Sequence, residues 1–398
     1  MSPTLPVGIH DLCFTTGYYV LDHNEMARHY GVDPDKYRLG IGQDSMSVPA
    51  PDEDIVTMAA AAAQPVLARH GADTIRTVLL ATETGVDQAK AAGLFVHALL
   101  GLPSSTRVVE LKQACYGATA ALQLAAGLVY RDPTQSVLVI GTDIARYDLG
   151  SPGEATEGAA AVAMLVRAAP AVLRLDSTSG LYANDVMDFW RPNYRATALV
   201  DGKTSIEAYL QAVQGAWKDY AEQGGRPLEE FEAFCYHQPF TKMAHKAHRH
   251  LAACAGLGQS DADIRAALRH TTSYNRLIGN SYTASLYLAL ASLLDHSEDL
   301  SGKPIAMLSY GSGSIAEFFG GTVVPGYREQ LRTAAHQEAV RRRVPIGYAE
   351  YRALHERALV TDGGEHLIEA ESGGPFRLAG IRGHKRVYDT ADRRTATA

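Results

Sequence analysis

The chain has 398 residues, is 46% hydrophobic and 20% charged, and carries a formal net charge of −7. That length and hydrophobic content allow a large core and more than one domain. The acidic balance, with a pI near 6.1, argues against nucleic acid or a membrane surface as a general partner, although a local basic patch can still hold an acidic ligand. The opening MSPTLPVGIHDL lacks the basic and apolar regions of a secretory signal. No apolar run approaches the roughly 18 residues that a membrane span requires. Four cysteines (Cys13, Cys115, Cys235 and Cys254) are too few for a disulfide framework, so a cytoplasmic protein with reduced thiols is expected.

Apolar runs bounded by turns alternate with helical patterns, which gives an α/β reading with buried strands. In chain order, the patterns predict a helix over 54–69, a strand over 78–82, a helix over 89–99 and a strand over 108–111. A helix over 117–129 follows, then strands over 137–142 and 160–166 and a helix over 205–220. The rest reads as a strand over 233–236, helices over 240–254 and 282–294, and strands over 305–310 and 320–324. Stretches 143–157 and 188–205 are long connections, which in a compact domain are either functional or disordered; Trp190 and Tyr194 favour order in the second. The terminal YDTADRRTATA reads as frayed.

The two halves repeat one pattern. ACYGATAALQLAAGLV from Ala114 lies over GNSYTASLYLALASLL from Gly279, and VLVIGTD from Val137 over IAMLSYG from Ile305. LLATETG around Glu83 likewise corresponds to AFCYHQP around His237. The expected division is 1–168, carrying Glu83 and Cys115, then 169–388, carrying His237, Asn280 and a Gly-Ser turn, and a disordered tail over 389–398. A duplicated α/β sheet brings equivalent strand ends together, and ligands bind beyond such ends. Glu83, Cys115, His237, Asn280 and Ser312 all fall at or just after a strand.

Cys115 stands where a strand gives way to a helix. Unpaired N–H groups and the positive end of the helix dipole stabilise a thiolate there, and the same N–H groups can hold an oxyanion. A buried structural cysteine is the commoner role in general, and it is the reading for Cys13, Cys235 and Cys254, which lie within apolar patterns. His237, in CYHQPFTKM, follows a strand and can exchange a proton near neutral pH; the bland alternative is a capping or core histidine. Glu83 emerges from VLLAT, and burial raises a carboxylate's pKa and makes it a stronger base. Lys242 and Lys246 are one turn apart and offer a positive face to a phosphate-bearing substrate, or simply a solvated one. Only two of His245, His248 and His250 share a face, with no matching Cys or carboxylate set, so no metal site is read. SYGSGS, from Ser309 to Ser314, lacks a dinucleotide fingerprint and a Walker lysine, but its small residues allow close backbone approach to a carbonyl.

The segments LGIGQDSMSVPAPDEDIVTMA, ATETGVDQAK, ELKQACYGATAALQLA, DFWRP, YHQPFTKMAHKA, GNSYTASLYLALASLL and SYGSGS resemble bacterial 3-hydroxy-3-methylglutaryl-CoA synthases of the mevalonate pathway, in order and to about Tyr388. The resemblance implies a thiolase-like fold, internally duplicated, with five layers αβαβα. It implies Cys115 as acylated nucleophile, Glu83 as general base and His237 as general acid. Asp33, Tyr147, Thr156, Ser205, Lys242, Lys246, Asn280 and Ser312 match positions that contact the acyl chain or CoA. Acetyl-CoA and acetoacetyl-CoA are the implied substrates, a homodimer the implied assembly, and no cofactor is implied. Glu157 departs from the pattern, standing where a neutral glutamine is expected. Within the family the alternative is a β-branching synthase acting on a chain carried by acyl carrier protein. A non-catalytic acyl-CoA-binding protein of the same fold is the rival of another class.

Overall fold

The computed structural model describes residues 5–357, 360 and 362–390. Its centre is a nine-stranded sheet in which one sequence of pairings occurs twice. Ile75–Ala81 runs parallel to Ser136–Ile144, which is antiparallel to Ala159–Ala168, which is antiparallel to Val7–Thr16. In the second half Ala233–Tyr236 runs parallel to Pro304–Gly311, which is antiparallel to Ile315–Val323, which is antiparallel to Leu173–Ala183. The halves join where Gly8 and Ile9 pair with Arg174 and Leu173. A Cβ on Gly8 would lie 2.0 Å from the Leu173 carbonyl oxygen, so only glycine permits this seam. Arg107–Leu111 adds a parallel edge strand to the first half.

Helices on both faces of the two half-sheets give the five layers αβαβα. Gly117–Arg131 and Ser285–His296 share one apolar core with strands of both halves and form the middle layer. Every residue from Ser285 to Leu294 is buried, so this helix is rich in Leu and Ala on all sides rather than on one face. Ile55–His70 and Ala92–Leu99 form one outer layer, Gly202–Glu222 and Thr241–Cys254 the other. Ile55–His70 starts at a capping box in which Asp54 accepts from the Thr57 N–H while the Thr57 hydroxyl answers the Asp54 N–H. Among the described residues no helix is long and apolar enough to cross a membrane.

Several elements differ from expectation. The strand expected over 320–324 is Ile315–Val323, and the helix expected over 282–294 is a 3-10 turn, Tyr282–Ala284, followed by Ser285–His296. Val7–Thr16 escaped the pattern because His10 and Asp11 interrupt its apolar run. Asp11 sits at a bulge, fully buried, against Arg332 at 2.5 Å, His70 at 2.9 Å and Arg69 at 3.3 Å. The stretch 188–205 is ordered by two short paired strands, Phe189–Trp190 and Leu199–Val200, and then by a helix that starts at Gly202. Phe189 turns inward there, whereas Tyr194 is 88% exposed and anchors nothing.

A division that gives all of 169–388 to the second half does not describe the C-terminal segment. Val344–Ile346 pairs with Tyr19–Asp22 of the first half, the Leu378 N–H donates to the Asp52 carbonyl, and the Tyr388 hydroxyl donates to Asp54. Of the tail expected to fray, Asp389 and Thr390 close the strand Lys385–Thr390, and 391–398 lie outside the described residues.

Candidate active site

Glu83 and His237 occupy equivalent corners. Each follows the strand that runs parallel to the central strand of its half, Ile75–Ala81 for Glu83 and Ala233–Tyr236 for His237. Cys115 lies between the edge strand Arg107–Leu111 and the helix Gly117–Arg131, buried, with a left-handed φ of 55°. The matching left-handed residue before the second central helix is Tyr282, φ 45°, two positions past Asn280. Tyr282 therefore mirrors Cys115, and the sequence overlay that set Asn280 there is out of step by two.

The Cys115 N–H donates to Glu83 Oε2 at 2.5 Å. Burial pushes the Glu83 carboxyl up to about 8, with the neighbouring Asp143 adding to the rise and hydrogen bonds from Cys115 opposing it. The thiol of Cys115 also moves up, well above its ordinary value, through burial and then through Glu83, Asp143 and Asp188. The expectation of a helix-stabilised thiolate is thus overturned for the free protein. Burial first, and then the three neighbouring acids, outweigh one helix dipole, and the amide expected to serve as an oxyanion donor is held by Glu83. Both groups hold their protons more tightly than usual, and loss of the thiol proton is coupled to the state of Glu83.

Asp143, at the end of Ser136–Ile144, fixes the corner that carries Glu83. It accepts from the Thr82 hydroxyl at 2.8 Å, the Glu83 N–H at 2.9 Å, the Thr84 N–H at 3.1 Å and the Thr84 hydroxyl at 2.7 Å. Its second oxygen accepts from the Thr283 N–H at 3.0 Å and hydroxyl at 2.5 Å, which ties the Glu83 corner to the Tyr282 corner. Sequence reasoning passed over Asp143, although an acid closing the apolar run VLVIGTD was a usable signal.

His237 is 1% exposed; its carbonyl accepts from the Tyr209 hydroxyl at 2.7 Å and its ring stacks on Tyr209. Nδ1 is buried without a partner, and burial alone pushes the imidazole down to about 3. His237 is therefore a neutral ring in the free protein, not the group titrating near pH 7 that its sequence context suggests. Tyr209 also packs on Tyr310 at 4.4 Å between ring centroids.

The Gly-Ser turn closes on Cys115 from the second half. A Cβ on Gly311 would lie 1.9 Å from the Ala114 carbonyl oxygen, Gln113 Nε2 donates to the Ser312 carbonyl at 2.8 Å, and the Gly313 N–H donates to Asp188 at 2.9 Å. Tyr147, Phe189, Tyr282, Ala145 and Ala198 wall the thiol in one apolar cluster. The Asn280 N–H donates to the Thr156 carbonyl at 2.9 Å, and its Oδ1 accepts from the Tyr282 N–H at 2.9 Å. This contact requires two glycines. A Cβ on Gly279, φ 87°, would lie 1.9 Å from the Glu157 carbonyl oxygen, and one on Gly158 would lie 2.5 Å from that of Ile278. Gly279→Ala is expected to cost more than about 3 kcal/mol in a denaturant melt, through collision and left-handed strain together.

The remaining sequence candidates lie apart, on a rim. Asp33 is exposed and accepts from the Asp35 N–H at 2.9 Å. Lys242 Nζ donates to the Leu39 carbonyl at 2.8 Å, and Lys246 Nζ is 5.5 Å from the centre of the Phe240 ring. Ser205 is half-buried in the first turn of Gly202–Glu222, one turn before Tyr209, so this helix leads from the rim down to His237. A cavity of about 580 Å³ is lined in part by Glu83, Phe189, Tyr282, Arg146, Arg191 and His355.

The architecture and this corner define a thiolase-like protein whose cysteine is set against a carboxylate. Family models described as hydroxymethylglutaryl-coenzyme A synthase N terminal and C terminal match residues 4–170, and 173–275 with 257–345. A hydroxymethylglutaryl-CoA synthase from Enterococcus faecalis is 40% identical over 360 residues, covering 90% of this chain and 94% of the relative. The polyketide biosynthesis 3-hydroxy-3-methylglutaryl-ACP synthase PksG of Bacillus subtilis is 31% identical, covering 87% of each chain. The solved structure of MvaS in complex with 3-hydroxy-3-methylglutaryl coenzyme A superposes with a TM-score of 0.89 at 37% identity, covering 97% of this chain and 99% of that one. The chain belongs to the hydroxymethylglutaryl-CoA synthase family and is an acyltransferase.

Proposed function

We propose that the protein condenses acetyl-CoA with acetoacetyl-CoA and water to give 3-hydroxy-3-methylglutaryl-CoA and CoA, through an acetyl-Cys115 intermediate. The observation that supports this reading is the Glu83 carboxyl accepting from the Cys115 N–H, with His237 at the equivalent strand end of the other half. The thiol adds to the acetyl thioester, the bond to CoA sulfur breaks, and CoA leaves with the proton. Glu83 then removes an α-proton from acetyl-Cys115, and the resulting carbon attacks the ketone of acetoacetyl-CoA. His237 gives its N–H to the ketone oxygen. Because the ring is neutral in the free protein, it steadies the growing alkoxide as a donor, and the proton taken by Glu83 completes the hydroxyl. Water finally adds to the enzyme thioester and restores the Cys115 thiol. Every step is redox-neutral, so no cofactor is required.

Tyr147, Thr156, Asn280 and Ser312 contact the acyl groups in this reading, while Asp33, Ser205, Lys242 and Lys246 receive the CoA arm. The lysines suit its phosphates. We place the enzyme in the cytoplasm, in the mevalonate pathway, as a homodimer joined through the edge strand Arg107–Leu111, whose Val109 is 37% exposed. The likeness to PksG supports a second reading, in which acyl carrier protein presents the acceptor. Thiol release measured with DTNB separates the two. Turnover with acetoacetyl-CoA is expected to exceed that with acetoacetyl carrier protein by more than about ten-fold, a difference of some 1.4 kcal/mol in barrier. The reverse order would transfer the protein to polyketide β-branching, and no release with either acceptor would leave only binding.

A further inference from the structure

Glu157, the residue that departs from the expected glutamine, is buried and has a partner of its own. Its Oε1 accepts from the Tyr147 N–H at 2.6 Å and lies 3.3 Å from His355 Nε2; its Oε2 accepts from the Tyr351 hydroxyl at 3.0 Å. His355 ends the helix Tyr348–His355, in the C-terminal segment that packs on the first half. Its Nε2 lies 2.8 Å from the Tyr147 carbonyl oxygen. A carbonyl only accepts, so Nε2 carries a proton and shares it between that carbonyl and the carboxylate. Both backbone polar groups of Tyr147 are thus taken by this one pair. Arg146 joins the clamp from the preceding position by donating to the His355 carbonyl.

The ring of Tyr147 is in turn fixed against the thiol pocket. It clusters with Cys115, Phe189 and Tyr282, and a Cβ on Gly153 would lie 2.6 Å from its Cδ1, so the ring rests on bare backbone. We propose that Glu157 and His355 are a positioning pair that sets Tyr147 against the acyl group on Cys115. The proposal rests on the acyl-transfer reading above, and it gives the C-terminal helix a part in that chemistry.

The pair is open to protons, because Glu157, Tyr351 and His355 line the cavity beside Glu83. Burial raises the Glu157 carboxyl, with His355 and the Tyr147 N–H opposing. Burial alone would lower His355, but the hydrogen bond and charge of Glu157 outweigh it and the imidazole rises. Arg146, Asp148 and Glu356 also face His355, and Glu154 and Tyr348 face Tyr351. As pH falls through the carboxyl's raised pKa, the acceptor for the Tyr147 N–H weakens. As pH rises through the imidazole's, the charge pair is lost while the Nε2–H remains.

The test uses the full chain labelled with ¹⁵N-tyrosine, with the Tyr147 amide signal assigned by its loss in Tyr147→Phe. A short bond to a carboxylate draws that amide proton downfield, so Glu157→Gln is expected to move it upfield and to remove its pH dependence. In the same variant kcat is expected to fall about ten-fold with KM for acetyl-CoA within two-fold, because a displaced wall misaligns the reacting groups without touching the CoA arm. His355→Gln keeps an N–H donor and is expected to retain kcat within about three-fold, while His355→Leu, which has no donor, matches Glu157→Gln. The proposal is overturned if Glu157→Gln leaves the amide signal in place, or moves it while kcat and its pH profile stay native. Should that variant not fold, His355→Leu decides on the same two readouts. Acetyl labelling of the native protein tests the function separately, so a failure there is distinguishable from a failure of the clamp.

Discussion

Cys115→Ala is expected to abolish acetyl labelling from radiolabelled acetyl-CoA and to lower turnover by roughly four orders of magnitude or more. The argument is one of position. Cys13 and Cys235 are buried within strands, and Cys254 closes a helix of the outer layer. Among the four, Cys115 is the one whose N–H is held by a carboxyl group and whose thiol lies in an aromatic pocket. The variant also isolates chemistry from folding. The left-handed φ of 55° is no worse for alanine than for cysteine, and removing one sulfur from a pocket already lined by alanines costs about 1 kcal/mol. A melting curve close to native with no label incorporated is the expected pair of results. Label retained in Cys115→Ala would strip the residue of its role, and label lost together with the fold would point to Cys115→Ser as the cleaner probe.

What could be read in the sequence, and what could not, follows from the range of the interactions involved. The strand-end positions of Glu83 and His237 were legible because each ends an apolar run, and an apolar run that stops at a polar residue is a local signal. The duplication was legible for the same reason, since strand and helix patterns repeat locally even where identities do not. Two electrostatic expectations went astray because local reasoning sees only a residue's own element. At Cys115 it counts the helix that begins at Gly117, but folding buries the thiol and then brings in Glu83, Asp143 and Asp188 from three other places in the chain. At His237 it assumes water, but folding supplies Tyr209 and a closed wall. Val7–Thr16 was missed because the charge that interrupts its pattern is neutralised by Arg69, His70 and Arg332, the last of them more than three hundred residues away. The strand Leu173–Ala183 was missed because it alternates polar and apolar residues over much of its length, unlike its continuously apolar neighbours. Glu157 was noticed as a departure from the family pattern, but its partner His355 lies in a segment whose return to the first half nothing local announces.

Glu83→Ala is expected to separate the two halves of the reaction, still forming acetyl-Cys115 while condensation falls by about 10³-fold or more. The geometry supports both parts. Removing the carboxylate frees the Cys115 N–H to face the thioester oxygen, and it removes the nearest charge that raises the thiol, so acylation does not depend on Glu83 being present. Condensation does depend on it, because Asp143, the other acid at this corner, spends both oxygens on Thr82, Glu83, Thr84 and Thr283 and has none to offer the substrate. Label without turnover is the expected result; normal turnover would remove Glu83 from the mechanism, and absent label would make it part of the acylation step instead. The pH dependence carries the same logic. With the carboxyl pushed up to about 8, the basic form grows as pH rises through that value, so the native condensation rate is expected to climb from pH 6 and level off above about pH 8. Stability runs the other way. The unfolded chain releases this proton near 4.5 and the folded protein holds it to about 8, so the folded state binds more protons across that window and loses stability as pH rises. Glu83→Gln, which cannot ionise, is expected to flatten that decline in melts taken from pH 5 to 8 while remaining inactive. A decline just as steep in the variant would mean that some other group holds the proton.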